Sequence, residues 1–379
     1  MSWAFCFLRG KDREMDETFV RNGSCMVLVS AAVAFKGVEK MTVVLGYVWG
    51  IWWWRCADSR IDVDPLRVPF SKLPTSQVKI AELRKAGLDK FRESCEMRGI
   101  PRTLPVDIVV CGDSPCPRTR EVQVHRWNGF LPQWFLCGVG EDYFVCAPEF
   151  CFIMVAGNIR SIMREHVRKW QYVVALVELG CELCGMYSLQ NTRRGFKDRT
   201  RPLTSSKNLY AFAGRVTHER GTSMVFTALP WVVDGMRSPM ETVLYLMLCA
   251  PRKWGSLALP RPLCNVLLDV PEHLWDKTTL RHIRPDFLWP EFCLIVEYNG
   301  EDSHEGRGPY DQEKQELAQD MGYKVITFRK QDLYDLGRFN AKARSVARYL
   351  GRRLPAASPD FTALQQTLQQ MLLKHQRWV

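Results

Sequence analysis

Histidine is scarce in this chain, with 7 in 379 residues, and no two stand at metal-pair spacing. Cysteine is more plentiful, at 14 residues, yet the one close pair is Cys181-Glu182-Leu183-Cys184 and no second CxxC follows it. A structural zinc site usually takes two such knuckles, or one knuckle with paired histidines, so this pair reads as two core thiols. The remaining cysteines lie in apolar runs such as Val109-Val110-Cys111 and Phe150-Cys151-Phe152, the setting of buried reduced thiols in a cytoplasmic protein. No apolar run reaches the ~20 residues that a spanning helix needs, so no membrane partner is expected. The most apolar stretch runs from Val43 to Trp54 and includes Trp49, Trp52, Trp53 and Trp54. It reads as a buried strand pair or a loosely attached extension, with an interfacial anchor as the alternative. A basic leader is also missing before the charges of Arg9 to Glu17, which argues against a signal peptide. Internal repeats and low-complexity tracts are absent.

Acid is in deficit too. Forty-one Asp and Glu face 52 Lys and Arg, leaving a net charge of +11. A surplus of this size favours a polyanionic partner, nucleic acid first and an anionic surface second. With 46% hydrophobic and 25% charged residues, the chain has the composition of a folded globular protein. Its length suits about two domains of ~100–200 residues.

Four segments can be marked out: an apolar extension over 1–66, an α+β accessory or recognition region over 67–235, a compact α/β domain over 236–354 and a terminal helix over 355–379. The stretch from Asp62 to Thr75 has three prolines and reads as a linker. Helical spacing is expected from Gln77 to Arg98, strands at Pro105–Cys111, Glu121–Trp127 and just before Ala147, and apolar helices from Pro148 and Ile159. Thr192 to Arg201 is dense in cations and lacks apolar periodicity. It is expected to be a loop, solvated or touching phosphates through Arg193, Arg194 and Lys197. From Ser238 the pattern becomes regular: helix to Cys249, strands at Asn265–Val270, Ile283–Leu288 and Phe292–Tyr298, helix at Tyr310–Met321, strand at Tyr323–Arg329 and a basic helix from Phe339. That order describes an α/β domain around a central mixed sheet. The final helix carries Leu364, Leu368, Met371 and Leu372 on one stripe and is expected to pack on the domain or on a partner.

Chemistry concentrates in this last domain. Asp286 follows Arg284-Pro285, and Glu297 ends the apolar run Leu294-Ile295-Val296, with a turn at Trp289-Pro290-Glu291 between them. The spacing predicts a hairpin whose two acids converge at one end. An acid on so apolar a strand is costly to bury alone, and a divalent cation with hard oxygen ligands is a natural partner. Glu241 lies in Ser238-Pro239-Met240-Glu241, which spells a helix capping box and equally supplies a third acid.

The run from Arg284-Pro285-Asp286-Phe287 through Glu297-Tyr298-Asn299-Gly300 and His304 to Gly322-Tyr323-Lys324-Val325 resembles the PD-(D/E)xK nuclease superfamily. It is most similar to a bacterial group related to the very-short-patch-repair endonucleases. The likeness covers about residues 238–352. It implies a restriction-endonuclease-like fold and Mg²⁺- or Mn²⁺-dependent hydrolysis of nucleic-acid phosphodiesters, DNA by preference. Asp286, Glu297 and Glu241 would then hold metal, His304 would lie near the phosphate or water, and Asp311 and Lys314 would orient substrate. Arg284 and Arg329 are further candidates for nucleic-acid contact. One departure matters. The superfamily's lysine position, two after the Glu, is Asn299, where the closer group usually has Asp. Asn299 keeps an oxygen and loses a charge, and Lys314 or Lys324 is the candidate replacement cation. The alternative reading is a catalytically weakened member that binds DNA as a regulatory module. Taken singly, Glu297 could pair with Arg284 or Arg329, and His304 could be a surface residue.

Overall fold

Runs of β-branched residues and one fully apolar helix organise the first half of the protein. In the computed structural model, residues 43–56, 67–68, 80–85, 87–97, 99–112, 118–129, 135–138, 143–163, 167–300, 304–356 and 358–374 are described. The chain is a mixed α/β protein whose mixed sheets are flanked by helices. The elements of the first half are β1 (Val43–Leu45), α1 (Tyr47–Cys56), β2 (Arg67–Val68), α2 (Ile80–Lys85), α3 (Leu88–Met97), β3 (Val106–Val110), β4 (Val122–Arg126), β5 (Leu136–Gly138) and β6 (Tyr143–Cys146). Then come α4 (Pro148–Met163), α5 (Lys169–Leu183), β7 (Tyr187–Leu189), β8 (Phe196–Asp198), α6 (Ser206–Arg215) and α7 (Thr222–Ala228). Strands β1 to β6 form one sheet in the order β2-β5-β6-β1-β3-β4.

Several expectations change here. The helix expected from Ile159 does not start there, since α4 runs on to Met163 and α5 begins at Lys169, and the stretch read as a linker contains strand β2, paired with β5. The Val43–Trp54 stretch is neither a strand pair nor a loose extension. It supplies a central strand, β1, parallel to β6 and antiparallel to β3, followed by the helix α1. Every residue of α1 except Val48 is buried, so the helix has no polar stripe to betray its period. The helix expected over Gln77–Arg98 is broken into α2 and α3 at Gly87, whose φ of +85° is the left-handed conformation that glycine adopts freely. The cation-rich stretch after Gln190 is in part a strand: β8 pairs with β7 as a hairpin. Arg199, just beyond it, is buried, with its guanidinium donating to Trp54 O and Ser188 Oγ.

The second half comprises α8 (Pro239–Cys249), β9 (Leu263–Cys264), β10 (Leu268–Asp269), β11 (His282–Ile283), β12 (Phe287–Trp289), β13 (Leu294–Asn299), α9 (His304–Asp320), β14 (Lys324–Arg329), α10 (Lys330–Tyr334), α11 (Leu336–Tyr349) and α12 (Pro359–Leu373). A second sheet runs β14-β13-β12-β9, with β13 antiparallel to β12 and parallel to β14. Helix α9 makes the crossover between the two parallel strands, as parallel pairing requires, and Gly322 (φ +84°) turns the chain from α9 into β14. Of the expected strand over Asn265–Val270 only Leu268–Asp269 forms, as β10; the chain before it pairs as β9, which ends where Asn265 adopts a positive φ of 51°. The basic helix α11 ends at Tyr349, just before Gly351 (φ +63°), rather than at Leu354.

This four-stranded sheet separates two apolar clusters. Leu294, Val296, Phe287 and Phe328 face the large core that also holds residues of α8, α11, α12 and strands β1, β3, β4, β5 and β6. Ile295 and Leu288 face a smaller cluster with Leu317 and Ala318 of α9 and with Val270 and Ile283. Side chains alternate across a strand, so the odd-numbered residues of β13 look toward α9. The large core runs without interruption from Val43 to Leu372, across the boundary drawn near residue 235. No helix among the described residues is long and apolar enough to cross a membrane.

Candidate functional site

Register brings the two hairpin acids together. Phe287 pairs with Val296 across β12 and β13, and one step further along the same ladder Asp286 faces Glu297. The carboxylate of Asp286 accepts a 2.7 Å hydrogen bond from the Tyr298 backbone N–H, fixing it at the end of β13. Glu297 and Asn299 share the strand face that looks toward α9, and Lys314 of α9 donates to Glu297 Oε2 at 2.9 Å. Both members of that pair are largely shielded, with side-chain exposures of 15% for Lys314 and 19% for Glu297, so the contact is more than a solvated surface pair.

A third acid arrives from the helix on the opposite face. Glu241, in the first turn of α8, is buried, and its Oε2 accepts from the Arg237 backbone N–H at 3.0 Å and from Asn265 Nδ2 at 2.8 Å. Half of the expected capping box is present, since Ser238 Oγ accepts from Glu241 N–H at 3.1 Å. The other half is displaced by one residue, because the carboxylate bonds Arg237 and is drawn toward Asn265. A third acid and a helix cap are thus the same residue.

The electrostatics follow from this proximity. Burial, then the neighbouring Asp286 charge, pushes Glu241 up to about 8, against opposing hydrogen bonds from Arg237, Asn265 and Ser238. Burial, then Asp286, likewise pushes Glu297 up to about 8, against the Lys314 ammonium. Burial alone would lower Lys314, but Glu297 and Asp286 outweigh it and hold the ammonium above its ordinary value. Three carboxyl groups from three elements therefore oppose one another's ionisation.

Asn265 escaped the sequence reading, where it was placed inside a strand. Its backbone N–H donates to Asp286 O at 3.0 Å and its carbonyl accepts from Arg284 Nη1 at 3.2 Å. Its side-chain Oδ1 is buried without a hydrogen-bond partner. An asparagine among apolar neighbours, a residue type tolerant of the left-handed region, was the signal available.

Other candidates fall into place unevenly. Glu297 pairs with Lys314 rather than with Arg284 or Arg329. Arg284 packs at the site through Asn265, while Arg329, exposed, lies in register with Asn299 at the end of β14. Lys324 sits at the other end of β14, its ammonium 6.0 Å from the Tyr349 ring, so Lys314 is the cation at the acids. His304 is the first residue of α9, and its side chain and that of Asp311 lie outside the described residues. Arg193, Arg194 and Lys197 belong to the β7–β8 hairpin. There Arg194 pairs with Asp198 at 3.1 Å and stacks over Phe196, whereas the hairpin's base meets α8 through Tyr187 Oη and Thr242 Oγ1 at 3.2 Å. Cys181 and Cys184 are buried in the core, and burial pushes the Cys181 thiol up to about 12.

Among the described residues, no group of three or more His, Cys, Asp and Glu side chains is arranged as a metal site. The donor chemistry nevertheless suits a hard cation, because the atoms that meet here are carboxylate and amide oxygens. Comparison with known proteins returns no matching family model, no matching curated protein and no matching solved structure.

Proposed function

We propose that this chain is a metal-dependent endonuclease of the PD-(D/E)xK kind, with a restriction-endonuclease-like C-terminal domain that hydrolyses nucleic-acid phosphodiesters, DNA by preference. The observation that carries the reading is the meeting of half-buried Asp286 and Glu297 with buried Glu241 at one end of a mixed sheet, where the Asp286 charge opposes ionisation of both glutamates. A fold gains nothing from such an arrangement by itself, whereas a cation shared among the three would relieve it. Mg²⁺ or Mn²⁺ bound there would polarise a phosphate oxygen and lower the pKa of an attacking water.

The protein's own groups have distinct parts in this reading. Asp286, held by Tyr298 N–H, and Glu297 supply the principal oxygens. Glu241 closes the site from the α8 side and is itself held by Asn265. Lys314 supplies from a helix the positive charge that Asn299 no longer supplies from the strand, and it stands where it can offset charge developing on a phosphate. Asn299, on the same strand face as Glu297, contributes a neutral oxygen at the site's mouth.

A second reading is favoured by one observation: Lys314 already neutralises part of the charge on Glu297. In that reading the ammonium has taken the cation's place, and the domain binds nucleic acid without cutting it. Plasmid nicking across an Mg²⁺ and Mn²⁺ titration separates the two. The enzyme reading expects metal-dependent nicking that Asp286→Ala and Glu297→Ala each abolish. Nicking that survives both substitutions overturns the site, and duplex binding without nicking in either metal favours the second reading.

A further inference from the structure

The chain's positive charge is concentrated at one place. Residues 324–353 hold nine Lys and Arg against two Asp, a surplus of seven within a chain whose net charge is +11. The two acids are engaged locally, Asp332 in the interior and Asp335 at the surface. Asp332 is buried and pairs with Lys342 at 2.6 Å, and Asp335 caps α11 by accepting from the Arg338 N–H at 3.0 Å.

The helix arranges the rest. At ~100° per residue, Arg338, Arg344 and Arg348 fall within about a third of the circumference, while Phe339, Ala343, Val346 and Ala347 form the opposite, buried side, and Arg352 follows just past the helix end. All four arginines are exposed, and among the described residues no ion pair engages Arg344, Arg348 or Arg352. Helix α11 also runs antiparallel to β14. Its first turn lies beside the strand's end, where Arg338 Nη1 reaches Gln331 Oε1 at 2.9 Å, and its last turn brings Tyr349 near Lys324 at the strand's start. The stripe therefore begins at the turn that follows Arg329, the residue in register with Asn299, and runs ~15 Å from Arg338 to Arg348 at 1.5 Å per residue.

We propose that this stripe, Arg329 with Arg338, Arg344, Arg348 and Arg352, is the track on which the phosphate backbone of a nucleic-acid duplex lies as it enters the carboxylate site. The proposal rests on the nucleic-acid reading above and adds the surface and the substrate form. Guanidinium groups dominate it, and these fit phosphate oxygens in pairs. A straight ridge of ~15 Å matches about four base pairs of duplex, which presents one charge per ~1.7 Å. Single-strand binders interleave stacking rings with their cations. Here the segment exposes two rings, Tyr334 and Tyr349, neither interleaved in a regular series with the arginines, and the Tyr349 face already carries Lys324. A membrane surface would ask for large apolar side chains between the charges, and the helix buries those instead.

The test measures binding of the full chain to a labelled 20-base-pair duplex in EDTA, across a salt titration, so that cleavage plays no part. The triple variant Arg344→Gln/Arg348→Gln/Arg352→Gln is expected to reduce the slope of log K against log salt by about 2–3 and to weaken binding about a hundredfold or more at ~0.1 M salt. Replacing the same three with lysine should restore most of the affinity. Equal matched changes at Arg193, Arg194 and Lys197 should have a smaller effect. Wild-type affinity and slope in the glutamine triple overturn the proposal, as do equal losses in the glutamine and lysine triples, or tighter binding to vesicles of 30% phosphatidylserine than to duplex. Asp286→Ala should leave this metal-free affinity undiminished, so failure of the nuclease reading would show as lost nicking with binding intact.

Discussion

The two sheets of this protein treat buried acids in opposite ways. In the N-terminal half each one meets a designated partner. Glu182 takes two 2.8 Å bonds from the Arg55 guanidinium and another from Leu189 N–H. Asp107 holds the Trp49 N–H at 3.1 Å and His125 Nε2 at 2.7 Å, and Glu149 receives Thr204 Oγ1. In the C-terminal sheet the acids face one another, with a single ammonium among them. The first arrangement serves the fold, since a buried charge is tolerable once fully paired. The second sets like charges against one another, which costs the fold stability and is what the proposed cation would relieve. A buried acid alone identifies neither case; its surroundings do.

Substitutions can break this contrast. The largest stability loss is expected from Arg55→Met, which strands Glu182 in the core and should cost about 3–5 kcal/mol in denaturant unfolding. A loss under about 1 kcal/mol would mean that the N-terminal pair is not what holds its acid. On the other side, Asp286→Ala should reduce metal-dependent nicking about a thousandfold, the ~4 kcal/mol of charge stabilisation expected from a cation held there. Lys314→Met should reduce it less, about ten- to a hundredfold, and raise the apparent requirement for metal. Stability should respond with the reverse sign: Asp286→Asn is expected to raise the metal-free unfolding free energy by roughly 1 kcal/mol at pH 8, because it removes like-charge repulsion. A destabilising effect of similar size would place Asp286 with the structural acids.

The pH dependence sharpens the same point. Glu241 and Glu297 hold their protons up to about 8 in the folded chain, against an ordinary 4.5. Between those values the folded state binds more protons than the unfolded state, so these two groups make stability fall as pH rises from about 4.5 to 8. Thermal unfolding without metal should show that decline, and Glu241→Gln with Glu297→Gln should flatten it.

Much of the C-terminal sheet was legible in the sequence. The apolar strand before Glu297, the turn at Pro290 and the helix start at Ser238 each carry local signals that tertiary packing did not override. Asp286 and Glu297 were readable as a pair because hairpin register depends on short-range spacing. Lys314 was only one of two candidates, because its partner is chosen by which strand face looks toward α9, a long-range fact. Asn265 was missed because a left-handed asparagine and an interrupted strand look alike in one dimension. The N-terminal half was less readable. Helix α1 is buried all round, so it has no amphipathic period, and the Arg199 side chain reads as surface charge although it is bonded to Trp54 inside the core.

The most direct measurement is calorimetric titration of Mn²⁺ into the chain at pH 7, repeated in two buffers of different ionisation enthalpy. The account predicts binding that releases about one or more protons, with both the binding and the release reduced in Asp286→Asn and the release alone reduced in Glu241→Gln. Absence of binding at millimolar Mn²⁺, or binding with no proton release that is unchanged by either substitution, would contradict it.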